Sequence, residues 1–491
     1  MTECGTRAGF RRPAPTPHER DGINTHTGQR TETKMIQRDV VIALLVVALS
    51  YALSGCLQRL YSIYCVAIPS KVPPQHRVRV ALIGAAKIAS QGLLYPAQRV
   101  ETVEVVAVAA REPERARKLA ERWGIVKYGS YEAILADPEV DAVYIALING
   151  VHFHWAAAAL KAGKHVLCEK PLTSNAAEAR ELARLANEHS LILMEGYHNL
   201  HHPIAHRMRQ LVTNGELGKL THLEVTSGLP SAGAVLAALG LQRPAGAPPP
   251  DKMNPALGGG RFLSQGCYAV SMVRFLLGEP DAPPAAAVRS AVMVEDAPGS
   301  RADISTEVYL SWRGGEAGDI FHSRDSFSSS ASSSPSAVSV TLRHTSVTPM
   351  GFNVHARFDN GSFYAFNFLF PFVYHYLRVC PSGAPSRIEK HYLEKHDAAA
   401  GAPSAASGAV SGAMEPPASA AAESSFSLQL RAFASAVVIQ SRRNRRNFAY
   451  GSPKMVQEAD ALLAAFMPES AVRNMELIDA IYDAAKLGKR G

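Results

Sequence analysis

Six cysteines are scattered through 491 residues, at positions 4, 56, 65, 168, 267 and 380, and no two form a C-x-x-C pair. Neither a zinc knuckle nor a dense disulfide framework is therefore indicated. Charge is scarce too: Asp, Glu, Lys and Arg make up 19%, against about a quarter in ordinary globular chains, because long Ala, Ser, Pro and Gly stretches dilute them. The excess of base over acid, 51 − 43 = +8, is spread out apart from Arg442-Arg443-Asn444-Arg445-Arg446. That run reads as a solvated loop, and no nucleic-acid partner is expected. No internal repeat is apparent. What is present is 47% hydrophobic residues, which excludes a wholly disordered, collagen-like or polytopic membrane chain and allows a sizeable core.

Several segments stand apart from that core. Residues 1–39 are polar, lack apolar periodicity and read as a disordered head. Residues 40–57 form an uncharged stretch of 18 residues, just long enough to span a bilayer. A membrane anchor or a signal segment is expected there, with a buried core helix as the bland alternative; a start at Met35 would make it resemble a cleaved signal peptide. The expected location is membrane-associated through this one segment, the alternatives being the cytoplasm or the secretory pathway. Residues 231–252, 323–336 and 397–425 are rich in Ala, Ser, Gly and Pro and read as surface insertions, unable to bury enough apolar area to offset chain entropy.

From Arg77 the chain alternates strand and helix patterns. Apolar runs at Val78–Ile83, Val103–Ala109, Asp141–Leu147, His165–Cys168 and Leu191–Met194 read as strands. Helices are expected to Arg99 after the first turn, over Pro113–Trp123, and at about 152–162 and 174–189. Such βα alternation predicts a parallel sheet covered on both faces, with ligands at the carboxyl ends of its strands. The first turn, Gly84-Ala85-Ala86-Lys87-Ile88-Ala89, keeps only the first glycine of G-x-G-x-x-G, with alanine at the other two glycine positions. Alanine is small enough for a pyrophosphate to approach a helix N-terminus. At the end of the second strand an NAD site usually places Asp or Glu, but Ala109-Ala110-Arg111 supplies a guanidinium. Arg111 can pair with a 2′-phosphate, so NADP is expected over NAD; the alternative is a surface residue at a helix start.

Gly163-Lys164-His165-Val166-Leu167-Cys168-Glu169-Lys170-Pro171 resembles the G-K-H-V-L-C-E-K-P signature of the glucose–fructose oxidoreductase, inositol dehydrogenase and rhizopine-catabolism (Gfo/Idh/MocA) family. The resemblance extends over Asp137–Tyr144, Asn149 with His152, Glu195-Gly196-Tyr197-His198, His202-Pro203, Leu257–Gly260, Gly266-Cys267-Tyr268 and Asn474–Tyr482. Within the family, the alanine-rich turn and the Gly-Cys-Tyr segment look most like the NADP-dependent D-xylose dehydrogenase and dihydrodiol dehydrogenase branch. This implies an N-terminal Rossmann domain over 77–197 and a C-terminal α+β domain with a mostly antiparallel open sheet over 198–491. It also implies hydride transfer between NADP and a CH–OH carbon of a sugar or cyclic diol. Lys170 is expected as acid/base, since a carbinol carbon releases hydride only as its hydroxyl loses a proton. Tyr268 is expected to assist. Gly84, Ala86, Ile88, Arg111, Asn149, His152 and Glu169 are expected at the cofactor, His198 and Ser264 at the substrate, and Pro171 in a cis bond.

Two positions depart from the family pattern: Ser264 stands where a carboxylate is expected, and Leu200 where related enzymes of this branch carry Arg before His-Pro. Both concern substrate contacts, and they motivate an alternative reading as a catalytically impaired NADP-binding sensor or scaffold. His198, His201, His202 and His206 offer histidine spacing without a carboxylate or cysteine cluster to complete it, so no metal is expected.

In the second half, strands are expected at Leu220–Thr226, Ala286–Glu295, Asp303–Arg313 and Ala337–Leu342. From Tyr364 to Tyr376 every even position is aromatic. Period two puts those rings on one sheet face unless Pro371 bends the strand. That face is expected to be core, or, as the family implies, the contact of a homo-oligomer. Amphipathic helices around Leu430–Val437 and Val472–Ile481 are expected to close this domain.

Overall fold

The computed structural model describes residues 72–73, 76–230, 253–280, 283–295, 300–313, 337–347, 351–371, 374–391, 424–444, 468–488 and 490–491. The expected head at 1–39, the 40–57 segment, the insertions at 231–252 and 323–336, and all of 397–425 except Ser424 and Ser425 lie outside the described residues. Among the described residues no helix is long and apolar enough to cross a membrane, so no described helix supports the expected membrane association.

The first sheet has six strands in the order β3-β2-β1-β4-β5-β6, all parallel. They are β1 (Val78–Ile83), β2 (Val103–Ala109), β3 (Lys127–Gly129), β4 (Ala142–Ile145), β5 (His165–Cys168) and β6 (Leu193–Glu195). Helices cover both faces, which is why β4 and β5 read as unbroken apolar runs and are buried throughout. Between β1 and β2, helix α1 winds as a π-helix over Ser90–Leu94 and as an α-helix over Tyr95–Ala97. Helix α2 (Pro113–Trp123) starts on a proline and stops at Gly124 in the left-handed region. The others are α3 (Tyr131–Leu135), capped by the Ser130 hydroxyl, α4 (His152–Lys161) and α5 (Ala176–Glu188). At α5, Asn175 accepts from the Glu178 amide, and Glu178 in turn accepts from the Ser174 amide at 3.0 Å, a reciprocal cap. Strand β3 and helix α3 were not expected, since three residues without an apolar run carry no strand signal.

After α6 (Pro203–Thr213), β7 (Leu220–Ser227) begins a second sheet in the order β14-β13-β12-β11-β7-β10-β9-β8. Helices α7 (Cys267–Leu277) and α8 (Pro284–Ala287) precede β8 (Val288–Glu295) and β9 (Asp303–Trp312). Then come β10 (Val338–Thr345), β11 (Asn353–Phe358), β12 (Gly361–Phe366), β13 (Tyr376–Pro381) and β14 (Arg387–Glu389). Among the described strands of this sheet, only the β7–β10 pair is parallel. The strand expected from Ala286 begins two residues later, because Pro284 opens a helical turn instead.

The aromatic run is the larger correction. Asn367, at φ 57°, ends β12, so Tyr364 and Phe366 lie on one strand and Tyr376 on the next. Phe366 and Tyr376 stack at 5.3 Å on the open face, where Tyr374 is 44% exposed, while the odd-numbered Phe363, Ala365, Leu377 and Val379 are buried. Tyr364, Phe366 and Tyr376 are therefore not core, whereas Phe368, past the turn, is fully buried as expected.

Among the described residues two helices close the chain, α9 (Ser425–Asn444) and α10 (Pro468–Ala484). Neither serves the second sheet alone. Leu430, Phe433 and Val437 bury in the same cluster as Val80, Leu82 and Tyr144 of the first sheet. Helix α10 lies along α5, with Asp479 accepting from the Ala176 amide and Arg180 donating to Glu476. Arg442 and Arg443, expected in a loop, form the exposed last turn of α9. A single apolar cluster runs from Ile83 and Val143 through α7 and α10 to Val308 and Val354 of the second sheet. Each fully buried Leu or Ile in it contributes roughly 2 kcal/mol.

Candidate active site

The carboxyl ends of the first sheet's strands place the candidate residues along one edge. Gly84 leaves β1 at φ 109°, and a Cβ there would come within 2.3 Å of the Ala146 carbonyl oxygen. Only glycine fits. Ala86 and Ile88 follow, half-buried, at the start of α1. Arg111 at the end of β2 is open to solvent, its side chain 85% exposed, with Glu112 at 3.9 Å. One helical turn on, Arg115 donates from Nη2 to the Ala85 carbonyl at 3.1 Å and so stands over the first turn. Arg115 was missed, although a second guanidinium in the first turn of the helix expected from Pro113 was a usable signal.

Strand β5 delivers Glu169 and Lys170. The Lys170–Pro171 peptide is cis. Lys170 is half-buried; its Nζ donates to the Ser264 carbonyl at 2.7 Å and stands 4.6 Å from the centroid of the Tyr268 ring. Ser264 lies in the π-helical turn Phe262–Gly266 that leads into α7, and its hydroxyl donates back to the Arg261 carbonyl at 3.3 Å. The serine thus meets Lys170 with its backbone, a contact no side-chain pattern announces. Glu169 is buried, and its Oε1 accepts from the Tyr144 hydroxyl at 2.5 Å. Burial raises the Glu169 pKa, opposed by the charge of Lys170 and the bond from Tyr144. Tyr144 reaches it beneath Gly92, where a Cβ would come within 1.9 Å of the phenol oxygen.

Tyr268 is 7% exposed and edge-packed on Tyr197 at 5.6 Å and Phe352 at 5.9 Å. Among the described residues no group hydrogen-bonds its hydroxyl, and burial pushes its pKa well above the usual phenol value. His198 lies beside it at 6.1 Å, stacked on Phe426 at 3.7 Å, with Nδ1 2.8 Å from the Ser425 hydroxyl. Its Nε2 is buried and, among the described residues, has no partner. Burial holds its pKa far below the usual value, so the ring is neutral. Leu200 packs against the apolar core.

Asn149 and His152 sit at the β4 end. Asn149 donates to the Gly258 carbonyl at 3.1 Å, tying the first domain to the second. His152 is buried with Nδ1 2.8 Å from the Pro171 carbonyl and Nε2 3.1 Å from that of Leu147. Both nitrogens face backbone carbonyls; burial lowers the pKa of the ring, and a neutral ring has one N–H, so His152 donates to one of the two loops at a time. Of the other histidines, His202 accepts from the Ile204 amide and lies 5.1 Å from the His375 ring, and His206 packs edge-on against Phe275. Among the described residues no group of three or more His, Cys, Asp or Glu could hold a metal.

Glu195 at the end of β6 was quoted for its motif but given no role. Its Oε1 accepts from the Leu172 amide at 2.8 Å and its Oε2 from Asn474 Nδ2 at 3.2 Å. Burial of the carboxyl pushes its pKa up to about 7.

Comparison with known proteins follows from this geometry. Residues 78–197 match the oxidoreductase family with NAD-binding Rossmann fold (GFO_IDH_MocA), and residues 205–334 match the GFO/IDH/MocA C-terminal domain. A D-xylose 1-dehydrogenase (NADP(+)) of Haloferax volcanii is 39% identical over 201 residues, covering 41% of this chain and 57% of that protein. A dTDP-3,4-didehydro-2,6-dideoxy-alpha-D-glucose 3-reductase of Saccharopolyspora spinosa is 37% identical over 205 residues, with shares of 41% and 57%. A trans-1,2-dihydrobenzene-1,2-diol dehydrogenase of Xenopus laevis is 35% identical over 171 residues, with shares of 35% and 47%. The chain thus spans about half the length of the curated relatives it matches. Among solved structures, a 3-ketoreductase from Actinomadura kijaniata in complex with NADP and TDP-benzene superposes with a TM-score of 0.57 at 23% identity over 83% of this chain and 98% of that one. An aldose–aldose oxidoreductase from Caulobacter crescentus complexed with glycerol gives 0.59 at 19% over 84% and 98%. At these identities the structures establish the shared fold.

Proposed function

The chain belongs to the Gfo/Idh/MocA oxidoreductase family, and from that premise we propose that it is an NADP-dependent oxidoreductase acting on a CH–OH carbon of a sugar or cyclic diol. The observation that carries the reading is the Lys170 ammonium at the sheet's ligand edge, 2.7 Å from a second-domain carbonyl and over the Tyr268 ring. The residues of the first domain fit a dinucleotide. The Gly84–Ala86 turn at the start of α1 suits a pyrophosphate, Arg111 and Arg115 suit a 2′-phosphate, and Asn149 and Glu169 flank the reactive end. His152 would serve by holding the Leu147 loop or the Pro171 loop. When bound, NADP supplies the hydride acceptor or donor.

The chain's own part is proton transfer and orientation. An ammonium has three donors; the Ser264 carbonyl holds one, which fixes Nζ and leaves the others for a substrate oxygen. In reduction the Lys170 ammonium gives a proton to the substrate oxygen and is left as the neutral amine; in oxidation the neutral amine takes the hydroxyl proton and becomes the ammonium. Tyr268 supplies a second hydroxyl and the ring against which the ammonium rests. Lys170→Met is expected to keep NADPH binding by fluorescence titration while turnover of aldoses and diols falls at least about a hundredfold. Near-normal turnover would contradict the assignment.

A second reading, an NADP-binding sensor without catalysis, is favoured by one observation: the Ser264 hydroxyl is turned to Arg261 where the family pattern has a carboxylate. NADPH binding with no turnover across a panel that includes D-xylose and trans-1,2-dihydrobenzene-1,2-diol would support it. The half-buried aromatic face of β12 and β13, with Tyr374 exposed beside it, supports self-association, read by sedimentation before and after Tyr374→Ser.

A further inference from the structure

We propose that Glu195 is a positioning residue, whose carboxylate holds the Lys170–Pro171–Leu172 turn in register with the helix that carries Tyr268. The inference rests on the reading of Lys170 and Tyr268 as the reacting pair, and it adds a residue that touches neither.

Three elements meet at this carboxylate. Strand β6 is paired with β5 so that Glu195 lies opposite Cys168, and the Gly196 amide donates to the Cys168 carbonyl at 2.8 Å. From there Oε1 reaches the Leu172 amide, the first backbone donor beyond Pro171. Oε2 reaches Asn474 on α10. Asn474 passes the connection on: its Oδ1 accepts from Nη1 of Arg274, which is 3% exposed and lies on α7 six residues after Tyr268. Arg274 is itself fixed by donation to the Ser470 carbonyl at 2.8 Å and by an ion pair with Glu279. The chain of bonds therefore runs from the backbone of the Lys170 turn to the helix of Tyr268.

The polarity of this chain dictates the residue at 195. A guanidinium can only donate, so Arg274 fixes Oδ1 of Asn474 as the acceptor and leaves the Asn474 amide nitrogen facing Glu195 as a donor. The Leu172 N–H is a donor by nature. Position 195 must accept on both sides, and only a carboxylate does. Glutamine would bring an NH2 group against one of two donors, leaving a buried polar group unsatisfied. Among the described residues no cation bonds Glu195 directly, and enclosure pushes its pKa up to about 7, so the two accepted bonds are what favour the ionised form against the cost of enclosing it. A cap for the Leu172 amide alone would need one acceptor; the second is accounted for by the tie to Asn474.

The test is a reversal of one bond. Glu195→Gln alone is expected to raise the exchange rate of the Leu172 amide about tenfold or more, by hydrogen–deuterium exchange. It is expected to change the rate at which sulfo-NHS-acetate acetylates Lys170 by at least about threefold, with the exposed Lys161 unchanged as the internal reference. The Glu195→Gln/Asn474→Asp double variant restores complementarity, because aspartate can accept from both Arg274 and the new amide. Both rates should return to within about twofold of the parent protein. If Glu195→Gln does not fold alone, the double variant carries the test: it folds and labels as the parent does, or the proposal fails. Unchanged exchange and labelling in the single variant, or no recovery in the double, overturns it. Lys170→Met turnover separates the two layers. Full activity there sinks the acid/base reading, whereas an inactive Lys170→Met beside a Glu195→Gln of parental exchange and labelling sinks only the positioning role.

Discussion

The two sides of Lys170 are built in different ways. On the first-domain side, Gly84, Arg111, Asn149 and Glu169 each follow their own strand, within a few residues of its end, and the chain brings them together by repeating one βα unit. On the other side, the Ser264 carbonyl, Tyr268, His198 with Phe426, and Phe352 come from stretches separated by up to about two hundred residues and meet only because α7 and α9 pack where they do. The first side is a set of local solutions to one problem, closing a strand onto a helix N-terminus. The second is a packing solution, in which a residue's role depends on what covers it.

That contrast can be broken in four places. The largest effect is expected at Gly84, where valine would force a Cβ against the Ala146 carbonyl at a backbone angle hostile to L residues. A loss of about 3 kcal/mol or more and abolished NADPH binding should follow, read by thermal melting and fluorescence titration. Tyr144→Phe removes the bond to Glu169 and should cost about 1–3 kcal/mol. The sign with pH follows from Glu169, whose pKa burial already raises and which loses a lowering partner in the variant. A group with a raised folded pKa stabilises fully below its unfolded value, and that stability is lost as pH rises through the folded one. The melting difference should therefore widen from pH 5 to pH 8, and a constant difference would remove the carboxyl from the account. Arg115→Ala tests the local side: about a tenfold weaker NADPH affinity with NADH affinity changed less than about twofold. The smallest effect is expected on the open sheet face, where Phe366→Ser loses one stacked ring pair, about 0.5–1.5 kcal/mol, with NADPH affinity untouched.

Much of the first domain was legible. The runs Val78–Ile83, Val103–Ala109 and His165–Cys168 and the helix Pro113–Trp123 appear with the expected bounds, since buried parallel strands and a Pro-to-Gly helix carry their own signals. The mostly antiparallel second sheet was legible from strands that follow one another with few helices between. The aromatic run was misread in part because period two is blind to a turn: Asn367 in the left-handed region splits it, so on the two strands the buried alternation belongs to the odd residues, while Phe368, past the turn, is buried as expected. Of the last two helices, α10 does help close the second domain but also lies along α5, and α9 covers the first sheet instead, since amphipathicity reveals a helix's apolar face without naming what it covers. At the site, side-chain identities were readable, but the roles of His152 and Ser264 depended on backbone carbonyls, which every residue has.

The sequence alone determined the βα alternation, the glycine that its first turn requires, the guanidinium beyond the second strand and the lysine beyond the fifth. Each of these depends on neighbours a few residues away, where covalent geometry and periodicity constrain the outcome. The tertiary structure decided that Lys170 is held by a carbonyl 94 residues on, that His198 is sealed by α9, and that Glu195 answers to Arg274 through Asn474. Those contacts are set by which surfaces exclude water together, a collective choice of the whole core that no local pattern encodes.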